Sequence, residues 1–290
     1  MELFFQQTLS GLATGAIYAS IALAVVMIYQ AIDHVNFAQG EMAMFSCYIA
    51  WQLMDMGVPY WAAFFLTIGL SFMGGVAIER ALFAPIHNAP VLGHIVVFIA
   101  LFQIFNAMAG FLWDFTIREF PSPFPDKLPF ETKLIGAHEI GVVAVTLLML
   151  LAIFMFFQHT RVGLAMRAAA SAPVSARLVG INVGHMLAFG WGLAAAIGAV
   201  AGMMIAPIVF LEPNMMLGIL VYGFAGAVVG GLTSPVGAVI GGFSVGVLEN
   251  LAGTYVIGSE LKLTFALLVI VTILIFKPDG LFGRTVVKRV

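Results

Sequence analysis

Residues 159–185 read HTRVGLAMRAAASAPVSARLVGINVGH and lie between two long apolar stretches. The segment carries Arg161, Arg167 and Arg177 and no acid. Its small residues favour a first helix, Pro173 breaks that helix, and a second short helix follows that Gly180 stops. Within it Pro173 suits the first turn, Val174 and Leu178 share a face at i, i+4, and Arg177 projects elsewhere. A chain that only had to turn round would need a few residues. An isolated two-turn helix is marginal in water, so it requires packing against the rest of the protein or a groove on a partner. A folded, basic loop of this length points to something on the inner face that grips it.

The stretches on either side set the class. The chain has 290 residues, 62% of them hydrophobic and 9% charged, with a mean hydropathy of +1.09. Soluble domains are about half apolar and a quarter charged. Water cannot solvate this chain, and the sequence is that of an all-α polytopic membrane protein. Apolar runs of helical length exclude an outer-membrane barrel, whose strands alternate over about 10 residues. A single cysteine, Cys47, leaves no disulfide framework and no thiolate metal cluster. No Lys or Arg precedes Arg80, so residues 1–30 lack the basic start of a cleavable leader and are expected to remain as the first span.

Apolar segments fall at 9–32, 41–56, 60–79, 92–113, 139–158, 186–210, 216–232, 235–254 and 261–277. This predicts eight or nine transmembrane helices. Segments 41–56 and 216–232 are short for a span of roughly 17–25 residues and are expected to be re-entrant, broken or tilted. With residues 159–185 in the cytosol, Arg80, Arg161, Arg167, Arg177, Lys277, Arg284, Lys288 and Arg289 fall inside. Arg118, Lys127, Lys133 and Lys262 fall outside, so the positive-inside bias places the C-terminus in the cytosol. The outer loop 114–138 holds four prolines and mixed charges, and reads either as a docking surface for an external protein or as a connector. The whole of 1–290 reads as one membrane domain.

Some chemistry is missing. No G-x-x-x-x-G-K-[ST] loop occurs, so the chain lacks the usual means of binding ATP. Neither His-Glu-x-x-His nor paired cysteines appear, and the six histidines are scattered, so no metal site and no membrane-embedded enzyme is supported.

Polar groups inside apolar runs are the remaining signals. Asp33 and His34 precede Asn36-Phe37-Ala38-Gln39-Gly40-Glu41 with no Lys or Arg nearby. Ionisable and amide groups at membrane depth face a cavity or another helix. The segment reads as a broken helix lining the pathway, with Asn36, Gln39 and Glu41 as candidates, or as a polar interfacial loop before a helix start. Glu249-Asn250 interrupts a later run and reads as a second pair of pathway candidates or as an interhelical hydrogen-bonding pair. Glycines recur at i, i+4 in Gly226/Gly230, Gly237/Gly241, Gly242/Gly246, Gly11/Gly15 and Gly198/Gly202. That spacing lets helix backbones approach closely, within a bundle or at a subunit interface.

Taken together, GLATGAIYASIALAVVMIY, NFAQGEM, RVGLAMRAAASAPVSARLVGIN, VVGGLTSPVGAVIGG with Glu249, and KPDGLFGR make the chain resemble the permease subunits of bacterial ABC importers for branched-chain amino acids. The resemblance covers nearly the full length; Gln39 stands where many relatives carry histidine. It implies ABC importer permease architecture in the inner membrane, pairing with a second homologous permease and two cytosolic ATPase subunits. It also implies a periplasmic or lipid-anchored binding protein that delivers substrate, and a surrounding of membrane lipid. No nucleic-acid partner and no cofactor on this chain are expected, since ATP and Mg²⁺ belong to the partner ATPases. Under it, the segment around Ala169–Ile181 is a coupling helix, with Ala169, Val174, Ala176, Arg177, Leu178, Gly180 and Ile181 meeting an ATPase groove. Leucine, isoleucine and valine are the implied substrates, with urea, short amides and small carboxylates as alternatives. A stand-alone carrier using Asp33, Glu41 and Glu249 as ion sites is the competing reading.

Overall fold

The computed structural model describes residues 2–32, 34–87, 89–125 and 136–283. Asp33 and the basic residues Lys127, Lys133, Arg284, Lys288 and Arg289 that entered the charge argument lie outside them. The described chain is helical: α1 Glu2–Ile32, α2 Gln39–Asp55, α3 Tyr60–Ile78, α4 Val91–Trp113, α5 Ala137–His159, α6 Arg161–Ser171, α7 Pro173–Leu178, α8 Val183–Val209, α9 Met216–Gly230, α10 Pro235–Ala252 and α11 Lys262–Phe276. π-helical turns at Glu79–Phe83 and Gly253–Ile257 extend α3 and α10. Among the described residues the one strand-like pairing is an isolated bridge between Arg118 and Leu211.

Among the described residues, seven helices are long and apolar enough to cross a membrane, and α9 is a shorter apolar helix. α2 and α9 have 17 and 15 residues, so both segments expected to be short are short. α1 and α8 form the centre, with 89% and 78% of their apolar windows buried, against 17% for α5 and 11% for α11. Leu, Phe and Ile cover the outer faces of α4, α5 and α11, as a helix bathed in hydrocarbon requires.

Glycine decides which helices touch most closely. A Cβ on Gly226 would lie 2.6 Å from Gly242 Cα, and one on Gly11 would lie 2.8 Å from Val247 Cα. Gly230 meets Gly237 backbone, and Gly241 meets Gly226 and Gly230. A Cβ on Gly198 or Gly202 would lie 2.6 Å from Gln39 Nε2 or Cys47 Sγ. These pairs therefore join α9 to α10, α1 to α10 and α8 to α2 within one chain, and none of the five pairs is free to form a subunit interface.

One end of the bundle carries α6 and α7. Gln30, at the close of α1, donates to the Thr233 carbonyl at 2.9 Å. The N–H groups of Leu281 and Phe282 donate to the Val229 and Gly230 carbonyls at 2.8 and 3.0 Å, closing the C-terminus of α9. At the far end Asn250 Nδ2 donates to the Gln7 carbonyl, and Arg118 pairs with Leu211.

Candidate translocation and coupling sites

The loop that opened the sequence reading is a rigid two-helix platform. Thr160 caps α6 by accepting from Gly163 N–H at 3.0 Å. α7 begins with Pro173 and closes in a Schellman turn: Gly180 has φ +87°, Gly180 N–H donates to Arg177 O at 3.1 Å, and Ile181 N–H to Ala176 O at 2.9 Å. Ala169, Ala176 and Val183 are buried together, with Ile181, Met186 and Leu187 packed on them. The platform faces outward through Val174, Leu178 and Val179, exposed by 71%, 84% and 77%, with Arg177 and Gly180 also exposed. The proposed coupling residues thus divide. Ala169, Ala176 and Ile181 seat the helices on the bundle, and Val174, Arg177, Leu178 and Gly180 form the presented surface. Three large apolar side chains held in solvent beside a cation mark a contact surface.

The second constellation lies at depth. Asn36 Oδ1 accepts from Ala38 N–H at 2.9 Å, a turn that starts α2. Gln39 Nε2 donates to Ala194 O at 3.0 Å, eleven residues into α8, which is about 17 Å along that helix. Asn36 and Gln39 are completely buried and Glu41 is 1% exposed. Gly40 packs on Met216 and Leu220, so α2 and α9 begin beside each other at this depth and run to opposite ends of the bundle. Asn36–Glu41 thus starts α2 from within the packed bundle. Asn106 of α4 brings the parts together. Its Nδ2 lies 3.4 Å from Glu41 Oε2, 3.0 Å from the Pro213 carbonyl and 3.0 Å from Asn214 Oδ1. Glu41 Oε1 and Gln39 Oε1 have no partner. Asn106 escaped the sequence reading, although a lone amide in the run 92–113 is itself a signal, and Glu212-Pro213-Asn214 reads from sequence only as a connector at an outer turn.

Glu249 and Asn250, read as pathway candidates, sit elsewhere. Tyr18 donates to Glu249 Oε2 at 3.0 Å, Lys262 Nζ lies 3.4 Å from Glu249 Oε1, and Lys262 donates to Asn250 Oδ1 at 3.1 Å. Their polar atoms are taken up in tying α1, α10 and α11 together, which is the interhelical alternative. Tyr18, 231 residues from Glu249, is the partner that sequence distance hid.

A polytopic helical bundle with two short helices that begin side by side inside it and an outward-facing helical platform at one end fits a transport permease. The model of the family described as branched-chain amino acid transport system, permease component, matches residues 7–275. The chain is 32% identical to the high-affinity branched-chain amino acid transport system permease protein LivH of Escherichia coli, across 99% of this chain and 98% of that one. It is 31% identical to the permease protein BraD of the corresponding system in Pseudomonas aeruginosa, with the same coverage of both chains. Among solved structures, PsaBC from Streptococcus pneumoniae in complex with Fab matches with a TM-score of 0.50 at 12% identity, covering 93% of this chain and 91% of that one, a likeness of fold. The chain belongs to the branched-chain amino acid transport system permease family. It is a multi-pass inner-membrane protein and a permease subunit of an ABC-type importer.

Proposed function

We propose that this permease moves leucine, isoleucine and valine into the cytoplasm by alternating access, powered by ATP hydrolysis on two cytosolic ATPase subunits that seat on α7. A second, homologous permease completes the membrane channel, and a binding protein delivers substrate to the outer face. No cofactor is held by this chain; ATP and Mg²⁺ sit on the ATPases. The observation that carries the reading is the α7 surface. Val174, Leu178 and Val179 are exposed on a helix fixed from below by Ala169, Ala176 and Val183. A rigid, apolar projection transmits a push, and closure of paired ATPases would rock the permease halves as rigid bodies. The full-length likeness to LivH and BraD supports the substrate class.

The test is ATP hydrolysis by the reconstituted assembly, with leucine, isoleucine, valine, urea, short amides and small carboxylates offered to the binding protein. Stimulation by the three branched amino acids, lost with Leu178→Glu while the permease still assembles in the membrane, is the expected result. Uptake by this chain alone, driven by an ion gradient and indifferent to ATP, would replace the reading with an ion-coupled carrier. Stimulation confined to urea, amides or carboxylates would keep the mechanism and change the substrate.

A further inference from the structure

At the meeting of α2 and α9, acceptors outnumber donors. Asn106 Nδ2 has two hydrogens and faces three oxygens: Glu41 Oε2, the Pro213 carbonyl and Asn214 Oδ1. The other carboxylate oxygen of Glu41 has no partner, although the residue is 1% exposed. A buried carboxylate half-served by one shared amide is costly, and the cost falls when a cationic donor arrives. Asn214 and Phe37 of the same constellation are exposed, on irregular backbone next to the depth at which α9 and α2 begin. Irregular backbone does not face hydrocarbon at that depth; it faces protein or water. The exposed side of the cluster therefore faces water or the second permease rather than lipid, which is where a pathway between two permeases runs.

We propose that Glu41, Asn106, Asn214 and the Pro213 carbonyl form a station that binds the α-ammonium group of an amino acid in transit. The inference rests on the transport reading above and deepens it by naming the group that is recognised. A primary ammonium brings three N–H donors and one positive charge, which matches a carboxylate and two neutral oxygens left short of donors. A divalent cation is a poorer match, since such ions draw on several carboxylates and the cluster has one. The first turn of α9 lies alongside, and the positive end of a half-helix suits the carboxylate of the same zwitterion. Further along α9, Leu220 borders both Gly40 and a cavity of about 80 Å³. Val25, Val35, Phe37, Val221 and Phe224 complete its apolar lining, beside the one polar residue Asn36, which suits a branched aliphatic side chain. The station discriminates against substrates of similar shape that lack the ammonium, because they leave Glu41 unpaired.

The experiment uses the complete assembly in lipid with L-photo-leucine, a leucine carrying a diazirine in its side chain. Uptake of leucine is measured first, then adducts are mapped by mass spectrometry. The expected adducts fall on the cavity lining and the station, at Val25 and within residues 35–41 and 213–224. A station that must release its cargo is weak, with a Kd of about 1 mM, so about 10 mM leucine should deplete the adducts about tenfold. The same concentration of 4-methylpentanoate, which lacks the ammonium, should leave them unchanged, and Glu41→Gln should abolish them. Intact uptake with no adduct in these segments overturns the station. Equal depletion by leucine and 4-methylpentanoate overturns its ammonium recognition. Absence of leucine uptake by the unmodified assembly overturns the transport reading itself and the station with it. If Glu41→Gln fails to assemble, the comparison of the two competitors on the unmodified protein decides alone.

Discussion

Replacing Gly226 by alanine tests the packing on which the bundle depends. The new Cβ would lie 2.6 Å from Gly242 Cα and 2.8 Å from Gly242 N, both backbone atoms of α10. No side chain can swing away, so relief requires α9 and α10 to separate by about 1 Å, and overpacking of this kind costs about 1–3 kcal/mol. At about 2–4 °C per kcal/mol for a chain of this size, the purified permease should lose roughly 2–12 °C in midpoint temperature. Gly69 of α3 is the control, because a Cβ there has nothing within 4 Å. Gly69→Ala removes helix-interior glycine without a clash and should be neutral or stabilising by up to about 1 kcal/mol. Thermal unfolding of both variants in the same detergent, followed by size-exclusion fluorescence, reads the difference. Equal midpoints for Gly226→Ala and Gly69→Ala would refute close backbone contact between α9 and α10.

Two further outcomes follow from the same geometry. Lys262→Met leaves the buried Glu249 carboxylate with the Tyr18 hydroxyl and no cation, and should cost about 3 kcal/mol, most of it recovered in the double variant with Glu249→Leu; thermal midpoints of the two singles and the double make the cycle. Gly180→Ala forces a side chain onto φ +87° and should destabilise the α7 turn by about 1 kcal/mol, read as faster proteolytic cleavage within 172–182 while the transmembrane helices stay protected.

The sequence showed much of the platform because its signals are local. Pro173, Gly180 and the Val174–Leu178 spacing are features of one short segment, and the structure returns the proline start, the Schellman stop and the shared exposed face. The polar cluster at depth was half visible. Asn36, Gln39 and Glu41 stood out as polar groups in an apolar run, but Asn106 and Asn214 come from segments 65 and 108 residues distant from Glu41 and from Asn106 respectively. Glu249 was left open between two readings for the same reason. Its identity as a pathway or a packing residue depended on Lys262 and Tyr18, and Tyr18 is 231 residues away.

By itself the sequence determined that this chain lives in a membrane, that its spans are helices, that two of them are short, and that a folded basic loop joins two others. Hydropathy, helix-breaking residues and small-residue spacing act over one or two turns, and no other part of the chain can reverse them. Only the tertiary structure decided that the two short helices begin side by side, which glycine pairs join which helices, and which buried carboxylate is paired and which is left wanting a donor. Those outcomes depend on which backbones approach within contact distance, and a hydrogen bond at 3 Å between distant segments leaves no periodic trace in either of them.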